Sequence, residues 1–388
     1  MASPVLVITN AYPDFEGSSH GIFVRRLAED ISAHGWLSHV LAPRVYSRSL
    51  RAESHPTHTV TRFRFPSEEK LLIEYQKTPF LRIAALLGSG LAAATRLIRK
   101  ENCRLVHAHW AFPAGVIALA ASRLTGRPMA LTVHGSDWRL AQTRGGITMA
   151  LFRRVAKGAD RIISVSEEIT AGIEIVGVEK NKITTCPMGA DERVFHSRVK
   201  PDPAMKKTFR VVSTRNLLPI YRVADLIEAA ALAMDKIPGL AVTIAGEGPE
   251  SHSLQERAAR LGLSGKADFT GCLEPERLAV LLASSSVYVS TSPAEGSSVS
   301  LLEAMACGSL PVVTDIPANR EWIKDGNNGL LFPAGDIEAL AEALVKAHQD
   351  KKLLDSAAVE NPVLVEERGA WSRQVETTEQ CYRNVAGD

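Results

Sequence analysis

Cysteine is scarce in this chain of 388 residues: there are five, an odd number, at positions 103, 186, 272, 307 and 381, with no Cys-x-x-Cys pair. That usage excludes a disulfide framework or a zinc ribbon and points to a reducing compartment. Charge of one sign is lacking too. Forty-five Lys and Arg face 43 Asp and Glu, for a net charge of +2, so no nucleic acid or other global polyanion is implied as a partner. Long hydrophobic runs are missing. The longest, 83–95, lies between Arg82 and Arg96, well short of the roughly 20 residues of a membrane span. Residues 1–4 lack a basic leader and Val5–Thr9 has strand length, so no signal peptide is expected and the chain reads as cytoplasmic. The dinucleotide fingerprint Gly-x-Gly-x-x-Gly is absent, which disfavours a Rossmann oxidoreductase. There is no internal repeat. What remains is an ordinary globular composition, 45% hydrophobic and 23% charged, long enough for two domains of roughly 150–200 residues each.

The most informative stretch is 286–314. Ser286-Val-Tyr-Val-Ser290 reads as a strand, 291–298 as a Ser/Pro/Gly loop, Val299–Cys307 as a helix, and Leu310–Thr314 as a second strand. Ser297 or Ser298 suits the N-cap and Gly308 the C-terminal stop. Ser300, Glu303 and Cys307 share one helix face, and Val299, Leu302 and Ala306 form the face expected to be buried. A helix start is an anion site, with free N–H groups and the positive dipole end. A nucleotide diphosphate there would reach Glu303 with its ribose and Glu295 with whatever the diphosphate carries. Alternatively, Glu303 is a solvated helix-face residue and Glu295 a loop charge.

Glu295 to Glu303, followed by Ala-Met-Ala-Cys-Gly-Ser-Leu-Pro-Val-Val, resembles the Glu-x7-Glu signature of the retaining glycosyltransferases of family 4. The resemblance implies an α/β chain of GT-B architecture: two Rossmann-like domains facing across a cleft that holds the active site. It implies that Glu295 holds hydroxyls of the donor sugar and Glu303 the ribose. Gly296, Ser298, Val299 and Ser300 would line the donor cradle between them.

Other segments fit the same family. His20-Gly21-Ile22-Phe23 resembles its N-terminal glycine loop, where a backbone N–H approaches the donor diphosphate or the acceptor; a plain turn glycine is the alternative. His107 and His109 share a face of a strand ending at Trp110, and His134 to Asp137 follow another strand. No carboxylate or cysteine completes a metal set at suitable spacing. By resemblance His134 is the cleft histidine beside the donor sugar, with His109 and Asp137 on the acceptor side; His107 also reads as a strand-end histidine bonded to backbone. Thr185 to Asp191 resembles the segment that ends the first domain, with Met188 where the family has Asn. Arg215 resembles the family's diphosphate arginine. Arg222 stands in the region of the family's lysine, as its substitute or as a helix-start surface charge. Gly246-Glu-Gly-Pro249 resembles the turn that lines the base pocket.

The expected domains are 1–195 with a returning C-terminal helix 371–388, a linker at 196–208, and 209–370 as the nucleotide-sugar domain. A basic-weighted stretch, about 44–104, contains a long apolar helix from about Pro79 to Lys100. It reads either as a core helix with solvated flanks or as a peripheral membrane contact. The chain has no Asp-x-Asp, the usual metal-holding pair for a sugar-nucleotide. The activity so implied is transfer of a hexosyl-type unit from a nucleotide-sugar to a glycan or lipid-linked acceptor, with retention, no metal and no cofactor. A sugar-nucleotide epimerase of the same architecture and a non-catalytic nucleotide-sugar-binding protein are the alternatives.

Overall fold

The computed structural model describes residues 2–15, 18, 20–70 and 79–387. Positions 71–78 of the basic-weighted stretch, and part of the loop ahead of His20, lie outside the described residues. Two compact units divide the chain: Met1–Cys186 with Val375–Asp388, and Pro187–Gln374.

The first unit runs β1 (Ser3–Ile8), α1 (Ile22–Asp30), β2 (Trp36–Arg44), β3 (Ala52–Ser54), β4 (His58–Arg64), α2 (Phe80–Lys100) and β5 (Leu105–His109), followed by α3 (Ala114–Thr125) and β6 (Met129–Val133). It continues with α4 (Gly135–Arg144), α5 (Gly146–Gly158), β7 (Arg161–Ser164), α6 (Glu167–Ile175) and β8 (Ile183–Thr185). The sheet order is β3-β4-β2-β1-β5-β6-β7-β8. Among the described strands of this sheet only β3 is antiparallel to its neighbour. Strands β5 and β6 are buried at every position, as expected of parallel strands covered by helices on both faces.

The second unit runs β9 (Phe209–Ser213), α7 (Val223–Ala233), β10 (Leu240–Ala245), α8 (Ser251–Arg260), β11 (Ala267–Gly271), α9 (Pro275–Ser284) and β12 (Val287–Ser290). Then come α10 (Val299–Ala306), β13 (Leu310–Thr314), α11 (Pro317–Arg320), β14 (Leu330–Phe332), α12 (Ile337–Gln349) and α13 (Lys351–Arg368), while α14 (Trp371–Ala386) starts in this unit and runs on into the first. The six strands of the second unit are parallel, in the order β11-β10-β9-β12-β13-β14. Both units are thus Rossmann-like. In such sheets ligands sit beyond the strand carboxyl ends where the order reverses. That point falls between β9 and β12 in the second unit and between β1 and β5 in the first.

Several expectations need adjusting. The apolar stretch read as 83–95 belongs to a 21-residue helix, α2, which is long and apolar enough to cross a membrane by length and composition. The helix expected from about Pro79 to Lys100 is thus present; only its apolar length, counted between Arg82 and Arg96 as 83–95, is revised. Leu86, Gly90, Ala94 and Ile98, four residues apart, are nevertheless buried. A Cβ on Gly90 would stand 2.6 Å from Ile117 Cδ1 and 3.1 Å from Phe63 Cζ. The inner face of α2 is therefore core, while Phe80 and Leu81 on its outer side are exposed. Helix α13 was not expected. Its buried row Leu353, Ala357, Asn361, Val365 includes an asparagine followed by Pro362, which reads as a break. Asn361 and Asn328 satisfy each other there through two 2.9 Å hydrogen bonds.

The expected domain edge at 195 and linker at 196–208 lie within the run of the second unit. Residues just before them are tied to 369–372. Ala190 bridges Ala370, the Glu192 carboxylate accepts from the Trp371 and Ser372 N–H groups, and Gly189, at φ +75°, leaves no room for a Cβ against Ala370 and Trp371.

The end of α14 belongs to the first unit. Tyr382 is 1% exposed; its ring meets Trp36 edge-on and its hydroxyl meets His107 Nδ1 at 2.8 Å. Replacing Tyr382 with Phe leaves that buried nitrogen without a partner. The expected loss is about 1–3 kcal/mol of stability, read as a lower denaturant midpoint. An unchanged midpoint would contradict the packing described.

Candidate functional site

In the second unit, Arg215 follows β9 and Glu295 follows β12. They are 80 residues apart in the chain and form an ion pair. The pair is largely out of water, at 11% and 10% side-chain exposure. Arg215 Nη1 also donates to Ser300 Oγ at 2.8 Å and to Ser298 Oγ at 3.4 Å. Tyr288, fully buried on β12, donates its hydroxyl to Ser300 Oγ at 2.9 Å. The Arg215 guanidinium carbon stands 4.3 Å from the centre of the Tyr221 ring. Burial pulls the Arg215 guanidinium down, but Glu295 first, then Tyr288, Tyr221 and Glu303, carry it above its ordinary value. It is a fixed cation at any working pH.

Three buried polar atoms at these strand ends have no hydrogen-bond partner among the described residues: Thr214 Oγ1, Arg215 Nε and Ser290 Oγ. The β9/β12 register pairs 211 with 287 and 212 with 288, which carried on sets Thr214 beside Ser290. Buried polar atoms are rarely left unsatisfied, so this crevice is built to receive polar groups.

Local chemistry places the loops. Ser298 is the N-cap of α10, its Oγ accepting from the Leu301 N–H, and Gly308 has φ +81° just past the helix end. Gly246 has φ +151°, and a Cβ there would lie 2.1 Å from the Arg215 carbonyl oxygen. Gly248 is likewise barred from a side chain by the Leu217 carbonyl. The two glycines thus let the 246–249 turn press against the loop that carries Arg215. The Met188 N–H donates to Ser297 Oγ at 3.2 Å, so that segment meets the loop through backbone.

The expectation for the faces of α10 is corrected in part. Ser300, Leu301, Leu302, Ala304, Met305 and Ala306 are all buried, while Val299 is only half-buried. The helix is wrapped nearly all round, because α9, α13 and two strands pack on it. Cys307, placed on the polar face, is buried, and burial pushes its thiol up to about 12. Glu303 is half-buried and acts electrostatically on both Arg215 and Tyr288. Gly296 lies in the loop ahead of α10. Arg222 is not brought to this cluster by its side chain. Its Nε pairs with Asp225 at 2.7 Å, and its Nη2 reaches the Gly335 turn.

The first unit gathers a separate group. His109 Nδ1 and His134 Nε2 are 3.2 Å apart, within an aromatic surround of Phe23 and Trp110. Burial holds both imidazoles far below their ordinary value, His109 at about 3. Both are neutral, so one donates and the other accepts. His109 Nε2 has no partner among the described residues. His107 lies behind them, bonded at 2.8 Å to both Tyr382 and Thr132 side chains; it is a structural histidine held by side chains, not backbone. Gly21, at φ +66°, starts α1, and a Cβ there would collide with the Ala11 carbonyl oxygen at 2.2 Å.

Asp137 is 5% exposed and accepts from the Ala111 N–H at 2.7 Å and the Trp138 N–H at 3.0 Å. It therefore braces the Trp110–Ala111 turn. Sequence reasoning passed over Tyr221, Tyr288, Phe23 and Trp110 as site residues. Nothing in the local sequence marks them; Trp110 stands out only in the structure, at φ +70°. Among the described residues no group of three or more His, Cys, Asp or Glu could hold a metal ion.

Residues 20–194 match the model described as Glycosyltransferase Family 4, and residues 198–361 the model described as Glycosyl transferases group 1. N-acetyl-alpha-D-glucosaminyl L-malate synthase of Bacillus anthracis is 26% identical over 68% of this chain and 71% of its own. The structure of sucrose-phosphate synthase from Thermosynechococcus elongatus superposes with a TM-score of 0.82 at 19% identity, over 99% of both chains. That of Anabaena HepE in complex with UDP-glucose superposes at 0.72 and 18%, over 97% of this chain and 98% of its own.

Burial pushes the Asp137 carboxyl up to about 7, against backbone N–H groups that pull it down. Between its ordinary 3.8 and about 7, the folded chain holds a proton that the unfolded chain has released. This group therefore favours folding at low pH, and the benefit is lost as pH rises through about 7. Asp137→Asn cannot titrate. The stability advantage of wild type over this variant should be largest at and below pH 3.8, fall steadily between 3.8 and about 7, and level off above that. A gap independent of pH would mean that Asp137 ionises normally.

Proposed function

The chain belongs to glycosyltransferase family 4 and has the GT-B fold, and from that premise we propose that this glycosyltransferase moves a hexosyl-type unit from a nucleoside diphosphate sugar to an acceptor hydroxyl, retaining anomeric configuration and without a metal. The observation that carries this reading is the partly satisfied Arg215, with Nε unpartnered, beside Glu295 and the start of α10.

In this reading the diphosphate docks on Arg215 and on the N–H groups around Ser298, Val299 and Ser300. These preorganised dipoles and one fixed cation stabilise the leaving group's charge, commonly the largest catalytic contribution. Arg222, held by Asp225 and turned to the Gly335 turn, would have to leave that pair to take the place of the family's lysine at the diphosphate. The Gly246 turn lines the base pocket and Glu303 takes the ribose hydroxyls. The incoming diphosphate competes with Glu295 for Arg215. Glu295 so released, with the backbone at Gly296, binds the donor sugar's hydroxyls. The bond between the anomeric carbon and the phosphate oxygen breaks, and the acceptor oxygen bonds to the same face. The acceptor's proton passes to the departing phosphate, and no covalent enzyme intermediate forms.

In the first unit His134 serves the sugar, the Gly21 backbone N–H serves the diphosphate or acceptor, and His109 and Asp137 act as positioning residues on the acceptor side. We place the enzyme in the cytoplasm, in polysaccharide biosynthesis, with a glycan or lipid-linked acceptor. The exposed Phe80 and Leu81 of α2 support a peripheral membrane contact.

Melting-temperature shifts with a panel of nucleoside diphosphates identify the base, because a ligand of the folded state raises the melting point by mass action. Glu295→Gln should bind that diphosphate at least as tightly as wild type, since the competitor for Arg215 is gone, while turnover falls about 100-fold. Wild-type turnover, or diphosphate binding weakened as much as turnover, would overturn the role of Glu295. Glu303→Ala should weaken diphosphate binding roughly 10-fold or more, and unaltered binding would remove Glu303 from the ribose. The anomeric proton coupling of the product checks retention.

A further inference from the structure

Helices α2, α3 and α5 contain no Asp or Glu, yet carry four, one and three Lys or Arg. They form one layer, with α3 packed on both α2 and α5. Between α3 and α5 lies an open hollow of about 530 Å³ lined by Arg123, Arg153, Arg154 and Lys157 together with Leu119 and Ala150. No ion pair among the described residues involves any of these four cations. Elsewhere in the unit, Arg25, Arg62, Arg82, Lys100 and Arg383 each have a carboxylate partner.

The like charges are also crowded. Lys157 Nζ and Arg153 Nη2 stand 2.8 and 3.8 Å from the point a Cβ would occupy on Gly177. Helix-dipole complementarity explains cations in the last turns of α3 and α5, Arg123 and Lys157. It does not explain Arg153 and Arg154, nor the lack of any acid in the first turns of these helices. The four cations are solvent-exposed, so water and salt screen their mutual repulsion, and an anion that joined them would relieve what remains and gain from all four at once. Arginine forks match phosphate oxygens two at a time, and lysine adds a point charge.

We propose that this hollow is a binding site for a phosphate-bearing anion. It lies away from the residues that follow the strand carboxyl ends, because Arg123 and Lys157 sit in the last helix turns, which lead back to the strand starts. The exposed Leu124, in the last turn of α3 next to Arg123, suits a phosphate attached to an apolar body. The same chemistry is offered by a phospholipid headgroup or by a soluble phosphate compound.

The test uses the full chain and the triple variant R153Q/R154Q/K157Q. One arm is co-sedimentation with phosphatidylcholine vesicles, with and without phosphatidylglycerol; the other is calorimetric titration with inorganic pyrophosphate. The expected result is a loss of at least about tenfold in affinity in one arm, with the melting shift given by the preferred nucleoside diphosphate unchanged. The vesicle arm identifies a headgroup, and the pyrophosphate arm a soluble ligand. The charge-keeping variant R153K/R154K/K157R should retain most of the binding. If wild type binds in neither arm, or the Gln variant binds as wild type does, the proposal is wrong. Should the triple variant fail to fold, Arg154→Gln alone and the salt dependence of wild-type binding decide: no change in either also overturns it.

Discussion

Arg215 and Glu295 meet where the strand order of the second sheet reverses, almost shielded from water. Taking two charges out of water is costly, and removing one partner of such a pair typically costs about 3–5 kcal/mol. The surrounding chain is arranged to hold the pair. Tyr221 lies against the guanidinium, Ser298 and Ser300 take its second nitrogen, and Tyr288 fixes Ser300 from beneath. Gly246 and Gly248 let a neighbouring turn press on the Arg215 loop where any side chain would collide. A cation held so firmly can exchange one anion for another without moving. That property suits a site that receives a diphosphate and must then free a carboxylate for a sugar.

The first unit meets the opposite electrostatic problem with the same kind of sheet. His109 and His134 are buried among aromatic rings, and burial keeps them neutral. A neutral pair joined through one hydrogen bond has a defined proton order along it, so the state of one ring fixes that of the other. Asp137, behind the Trp110 turn, is bound to backbone donors and anchors the loop.

Much of the second site was legible because its signals are local. The N-cap at Ser298, the stop at Gly308 and the spacing of Glu295 and Glu303 all lie within a single strand–loop–helix unit. The pairing of Arg215 with Glu295 was not legible. It depends on β9 lying beside β12, a neighbour relation set by the whole sheet. The unpartnered Thr214 and Ser290 became visible for the same reason. Tyr288 reads in sequence as one more strand aromatic, and only its hydroxyl's contact with Ser300 gives it a place in the site. Helix α13 was hidden by Asn361-Pro362, whose amide partner Asn328 lies 33 residues away in the chain. The buried underside of α10 was misjudged at Val299 because periodicity names one face, while α9 and α13 cover nearly all of them.

The last turns of α14 complete the first unit: Tyr382 closes over His107 and Trp36, and Glu379 meets His34 at 2.6 Å. During synthesis on the ribosome these residues emerge after all of 187–374. The opening unit therefore waits, with His107 and Trp36 uncovered, until 375–387 has been made, whereas the contacts within 187–374 can close before then. The usual amino-to-carboxyl order of domain maturation is thereby reversed for its final step, and a nascent chain stalled near residue 374 would display an unfinished face to chaperones.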